Sequence, residues 1–319
     1  MRKQFSLVLF LLTVSVSVTS VLGLISPSPK SRHVTTKSLV VLQATRRQTI
    51  QTIASSLLIP SVAQAVDAES SLLENGLLES RVLENVLSPP PYQMEGSDIY
   101  YPDYFNGLWN VFSTTTEVKA PCGVQLFGGN NTYARAQNEV NTSLRYKCRF
   151  VPTAKGIIAD REYNVIEIAK AAMGENSVLE VPLSTPNKVS VILAPNGANQ
   201  ILKADLLTLA RRSEYISNSE FHCSEVVRQV IGPAKPSASA GGSLGGGARS
   251  TLLKEIETAS LYTAVRDEKG NVTEIKCRQR SATFLLPSQQ DPMAFKMWEL
   301  SRGRPIDVRF YDVSYTKRI

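Results

Sequence analysis

Histidine is nearly absent from this chain of 319 residues, which has only His33 and His222. That scarcity excludes the common histidine-rich zinc centres. A Ser-His-Asp triad would have to rely on His222, because His33 falls in the N-terminal segment treated below. No Gly-x-Ser-x-Gly elbow occurs. The four cysteines, Cys122, Cys148, Cys223 and Cys277, are too far apart for a Cys-x-x-Cys redox or zinc motif. Acidic residues are missing altogether from positions 1–65, which carry Arg2, Lys3, Lys30, Arg32, Lys37, Arg46 and Arg47. The formal charge of +7 is that stretch alone, and beyond it 28 basic residues balance 28 acidic ones. The body of the protein has no net field to steer a polyanion, and nucleic acid is not an expected partner. No apolar run after residue 65 approaches the ~20 residues needed to span a bilayer. The glycines at 241–250 lack the Gly-Lys-Ser/Thr of a phosphate loop, and no Gly-x-Gly-x-x-Gly is present. The expectation is no cofactor and no metal.

The acid-free leader is built in three parts. Arg2 and Lys3 precede an apolar run from Phe5 to Leu22, the pattern of a signal peptide. Residues 24–45 are rich in Ser, Thr, Lys and Arg, the composition of a transit peptide. Arg46-Arg47, a moderately apolar stretch and Ala63-Gln64-Ala65 then resemble a twin-arginine export signal with its cleavage site. Taken in order, the parts resemble the leader of thylakoid lumenal proteins in algae with secondary plastids. The resemblance implies plastid import, delivery to the thylakoid lumen, and a mature chain starting near Val66.

Residues 66–97 read as an amphipathic helix followed by a linker. Leu72, Leu73, Leu77, Leu78, Val82, Leu83, Val86 and Leu87 fall at helical spacing, and Pro89-Pro90-Pro91 ends the segment. Its polar face is acidic, which argues against docking on anionic lipid. Residues 98–319 have β texture. Strands are expected over 107–118, 144–151, 189–193, 206–216, 220–231, 251–265, 272–286 and 306–315. Asn196-Gly197 and Lys269-Gly270-Asn271 mark hairpin turns. Eight strands with hairpin-length links favour a closed or nearly closed antiparallel barrel, because closure removes the edges. Two helices interrupt them, 163–173 stopped by Gly174 and one opened by Asp291-Pro292. Residues 232–249 read as a flexible Gly/Ser-rich loop.

Phe105-Asn106-Gly107-Leu108-Trp109 resembles the Gly-x-Trp opening of lipocalin-type barrels. The resemblance implies that Trp109 plugs one barrel end and that an arginine of the last strand, here Arg309, covers it. Gly107, Trp109, Arg309 and Tyr311 are the ligand-binding or barrel-closing candidates of a mainly β, antiparallel, lipocalin-like barrel with short flanking helices. A broader resemblance, starting at Tyr100-Tyr101-Pro102-Asp103-Tyr104-Phe105, is to an uncharacterised cyanobacterial and plastid family. It continues through Ile158-Ala159-Asp160-Arg161 with Asn164, Glu257-Thr258 and Arg304-Pro305. It implies a compartment and no mechanism. Asp160 and Arg161 are expected to cap the following helix and pair locally rather than to serve a site.

Three function classes remain. The first is a barrel holding a small apolar ligand, such as a pigment, quinone or lipid. The second is a non-enzymatic assembly or auxiliary factor of a photosynthetic membrane complex, in peripheral membrane contact. An enzyme is third, because no convergent titratable cluster is visible in the sequence. His222 is a structural histidine or a pH sensor. Cys122 with Cys148 is the candidate disulfide, set against four free thiols. Cys223 and Cys277 should lie two strands apart, ~9.5 Å, which is too far to bridge.

Overall fold

A computed structural model describes residues 76–84, 86–196, 200–234, 252–287 and 292–317. The leader reading, Gly197, Asp291 and nearly all of the Gly/Ser-rich loop lie outside the described residues.

Ten strands form one antiparallel sheet. They are β1 (Gly107–Lys119), β2 (Ser143–Thr153), β3 (Gly156–Ala159), β4 (Val178–Thr185), β5 (Lys188–Leu193), β6 (Leu202–Tyr215), β7 (Glu220–Pro233), β8 (Leu252–Arg266), β9 (Val272–Leu285) and β10 (Asp307–Lys317). Their order is β3-β2-β1-β10-β9-β8-β7-β6-β5-β4, a meander in which the last strand returns to pair with the first. The fold is mainly β and antiparallel with short flanking helices, as expected, and the sheet curls into a half-barrel with β3 and β4 as its free edges. The flanking helices are α1 (Leu77–Leu83), α2 (Val124–Phe127), α3 (Asn130–Gln137), α4 (Arg161–Met173) and α5 (Pro292–Ser301).

Alternation fixes which faces turn inward. In β1, Trp109, Val111, Ser113 and Thr115 are buried while Asn110 and Phe112 are exposed. The principal core gathers inward residues of nearly every strand, Trp109, Val191, Leu206, Phe221, Ile275 and Val313 among them. Helix α4 covers the side that strand pairing leaves open. Its stripe Val165, Ile168, Ala169, Ala172 and Met173 has helical spacing and packs into that core. Asp160 caps it through Tyr163 N–H (3.1 Å) and Gly174, at φ +105°, ends it.

The segment before β1 completes the enclosure. On the outer face of the sheet, Leu78 and Tyr92 pack against Ala210 and Val226. Beneath α1, the fully buried Glu257 accepts from Arg81 Nη2 (2.6 Å), Arg280 Nη1 (3.0 Å) and the Tyr92 hydroxyl (2.7 Å). Arg280 Nη2 donates to the Val86 carbonyl (2.6 Å), so the cluster ties the segment to β8 and β9. Strand β5 pairs with β6 only as far as Leu207. Past that point, Met94 takes the vacated edge of β6 as a parallel bridge to Arg211. The chain then turns inward, bridges β3 through Tyr101 N–H and Ile157 O (2.8 Å), and makes a 3-10 turn at Asp103–Phe105 before β1.

Candidate functional site

The aromatic end of the half-barrel is built by that turn. Tyr101 contacts Phe150 (ring centroids 4.8 Å) and Phe105 (5.0 Å), and Phe105 meets Tyr262 edge-on at 5.2 Å. Trp109 is fully buried and its indole N–H donates to the Phe105 carbonyl (2.6 Å). Gly107 sits at φ +118°, a conformation that glycine alone adopts readily, as the chain passes from the turn into β1. The Gly-x-Trp pattern therefore has a concrete local meaning here.

The expected arginine cover is corrected. Trp109 pairs with Lys317, whose Nζ lies 5.8 Å from the indole centroid. Arg309 pairs with Val118 at the other end of β10. Eight residues at ~3.4 Å each put the two positions about 27 Å apart. Arg309 instead bonds Glu139 (2.7 Å) and Asp307 (3.0 Å) and lies over Phe127 of α2, closing the far end of the half-barrel. Tyr311 is buried next along the same inward face, and burial raises its phenol above the ordinary range.

Between the two ends lies a cavity of about 160 Å³. Its walls include Tyr146 and Cys148 of β2, Val165 and Ile168 of α4, and Leu206 of β6. Cys223, Ser260, Tyr262, Gln279 and Tyr315 contribute from β7 to β10. Burial pushes the Cys223 thiol up to about 12, and Cys148 and Cys277 also rise, so these are neutral, unreactive thiols.

One wall is charged, which the sequence did not disclose. Arg161 bonds Asp98 and Glu225 (3.1 Å), and Arg211 lies 3.5 Å from the same Glu225 oxygen. Arg211 faces inward because of a β-bulge between Thr208 and Ala210. Before it, even positions of β6 such as Ala204 and Leu206 point into the core, and after it Arg211 does. Strand alternation read from sequence alone puts Arg211 on the outer face. The net result of burial and these carboxylates holds Arg161 above its usual range and Arg211 below it.

The remaining candidates have structural surroundings. Asp160 pairs with Arg149 (2.6 Å) as well as capping α4. Arg161 joins segments far apart in sequence, where a local partner was expected. Asn164 accepts from Arg149 N–H (2.7 Å) and donates to Arg149 O (3.1 Å), so its amide stands in for the next residue of β3. His222 lies on the opposite face of β7 from Cys223, buried, with Nε2 3.0 Å from Glu220. All four cysteines are free, so the Cys122–Cys148 pairing is not made. Cys122 Sγ lies near the Ser301 and Pro305 carbonyls while Cys148 is in the core. No group of His, Cys, Asp and Glu able to hold a metal ion occurs among the described residues. No helix among them is long and apolar enough to cross a membrane.

Residues 94–318 match a family model described as a domain of unknown function, DUF6816. Neither a curated protein nor a solved structure matches the chain.

Proposed function

The chain belongs to the DUF6816 family, and we propose that it is a binding module that holds one small molecule inside its half-barrel. The observation that carries this reading is the cavity of about 160 Å³, lined by residues of β2, β3 and β5 to β10 and by Val165 and Ile168 of α4. An engineered interior cavity of about 150 Å³ accommodates benzene. The volume therefore suits a single ring or a compact head group. A whole macrocyclic pigment or a long polyene exceeds it, so any larger ligand would enter by one end only. The charged groups beside the cavity are already engaged with one another, which suits holding a ligand better than proton transfer.

The site of action we propose is the thylakoid lumen, supported by the three-part leader and its Arg46-Arg47 and Ala63-Gln64-Ala65 signals. Native mass spectrometry of the chain recovered from cells tests the binding reading. A reproducible adduct of roughly one hundred to a few hundred daltons, the size of a one-ring head group or slightly more, is the expected result. A bare chain that also takes up none of a panel of single-ring compounds overturns it. A chain recovered bound to a membrane-complex subunit instead favours the auxiliary-factor role.

A further inference from the structure

We propose that the half-barrel cavity selects a neutral, single-ring molecule bearing a hydroxyl, a phenol in chemical class, in preference to a hydrocarbon or an organic ion. The inference rests on the binding reading above and adds the chemistry of the occupant.

Size sets the first limit, because about 160 Å³ holds one ring with small substituents. Charge sets the second. The ionised wall is a closed set of two cations and two anions, Arg161 and Arg211 against Asp98 and Glu225. The other cation of the lining, Lys188, is solvent-accessible and pairs with Asp205 (4.0 Å), so a carboxylate entering the cavity would have to draw a cation away from an existing partner or stay buried without one, which is unfavourable. Neutral occupants are favoured on that ground.

Hydrogen bonding sets the third limit. Gln279 lines the cavity at 7% exposure, and its Nε2 donates to Ser260 Oγ at 3.0 Å. In that bond the Ser260 hydroxyl oxygen is the acceptor. That leaves Gln279 Oε1 as a buried acceptor with no partner. Thr258 Oγ1 and Arg161 Nε, from two other residues of the cavity wall, are buried and unpartnered as well. The terminal torsion of glutamine is broad, so a modest turn of the amide brings Oε1 to a ligand hydroxyl. The ring of such a ligand lies against Tyr146, Tyr262 and Tyr315, and an acceptor oxygen elsewhere on it meets Arg161 Nε. A buried acceptor gains roughly tenfold in affinity when a ligand donor satisfies it.

The test is calorimetric titration of the purified chain with phenol, toluene and benzoate, which share one ring and differ in the group it carries. Phenol is expected to bind roughly tenfold more tightly than toluene, the size of one satisfied buried acceptor, and benzoate more weakly than either. Gln279→Met should remove the preference for phenol while leaving toluene affinity within about threefold, since it conserves volume. Toluene equal to or tighter than phenol overturns the phenol assignment and leaves the binding module standing. Benzoate tighter than phenol overturns it in favour of an anion. Failure of all three compounds to bind overturns the cavity reading itself. Should Gln279→Met not fold, the phenol–toluene ratio on the unchanged chain decides the same question.

Discussion

Removing the carboxylate of Glu257 tests how the N-terminal segment is held. Glu257 is completely buried between two arginines that are also buried, Arg81 and Arg280, and it accepts from Tyr92. Glu257→Ala strands two guanidinium groups away from water with no counter-charge. Breaking a buried pair in this way costs about 3–5 kcal/mol, against a total stability of about 5–15 kcal/mol for a typical domain. The ion cluster also anchors α1 and the path of the chain toward Tyr92, so the loss should reach the segment that leads into the half-barrel. Urea unfolding followed by tryptophan fluorescence measures it. With an m-value of about 2–3 kcal/mol/M, the midpoint should fall by about 1–2 M. The triple variant Arg81→Met, Glu257→Leu and Arg280→Met, which removes all three charges of the cluster, should recover much of the loss, because replacing a buried ion cluster by apolar residues of similar volume is often neutral. A drop of under 1 kcal/mol for Glu257→Ala would refute the reasoning, showing that the arginines reach solvent when the glutamate is gone.

Trp109→Ala empties the fully buried indole site and cuts the bond to Phe105 O; thermal unfolding should register a loss of about 3–5 kcal/mol. Lys317→Ala at the same end, on an exposed cation–π contact, should cost no more than about 1 kcal/mol in the same assay. Asn164→Ala removes both side-chain bonds to the backbone of Arg149; it should cost about 1–3 kcal/mol and speed amide exchange at Arg149. Stability should decline as pH rises above the ordinary thiol range near 9. The native chain keeps the Cys223 proton until about 12 because burial disfavours the thiolate, so its contribution is intact at lower pH and is lost through that window. Cys223→Ala should flatten the alkaline slope by about 1.4 kcal/mol per pH unit, and an unchanged slope would count against the burial of that thiol. In native protein, a thiol reagent should modify half-buried Cys122 before the three buried cysteines.

Much of this architecture follows from local pattern. Alternation of apolar and polar residues located eight strands, and the stop at Gly174 and the proline at 292 placed two helices, because these signals act within a few residues. The two strands that escaped are the sheet's edges. Strand β3 has only four residues, and β4 is exposed along most of its length and contains Pro182, tolerated there because an edge strand lacks one ladder partner. Helices α2 and α3 follow glycines at positive φ, Gly123 and Gly129, and are short enough to be read as loop.

The site was less legible for a different reason. Composition and the single histidine after residue 65 determined which chemistries are excluded, and the Gly-x-Trp pattern determined where the buried indole sits. Tertiary structure alone decided that Lys317 rather than Arg309 lies over Trp109, since register along β10 depends on the whole sheet. It also decided that Arg211 turns inward, because a bulge shifts every later side chain of β6 to the opposite face without leaving a mark in the pattern. The meeting of Arg161 with Asp98 and with Glu225 joins residues 63 and 64 positions apart, and Arg211 reaches the same Glu225 from the neighbouring strand. Such a convergence is set by how the sheet curls and how the segment before β1 crosses it, and short-range spacing carries no information about it.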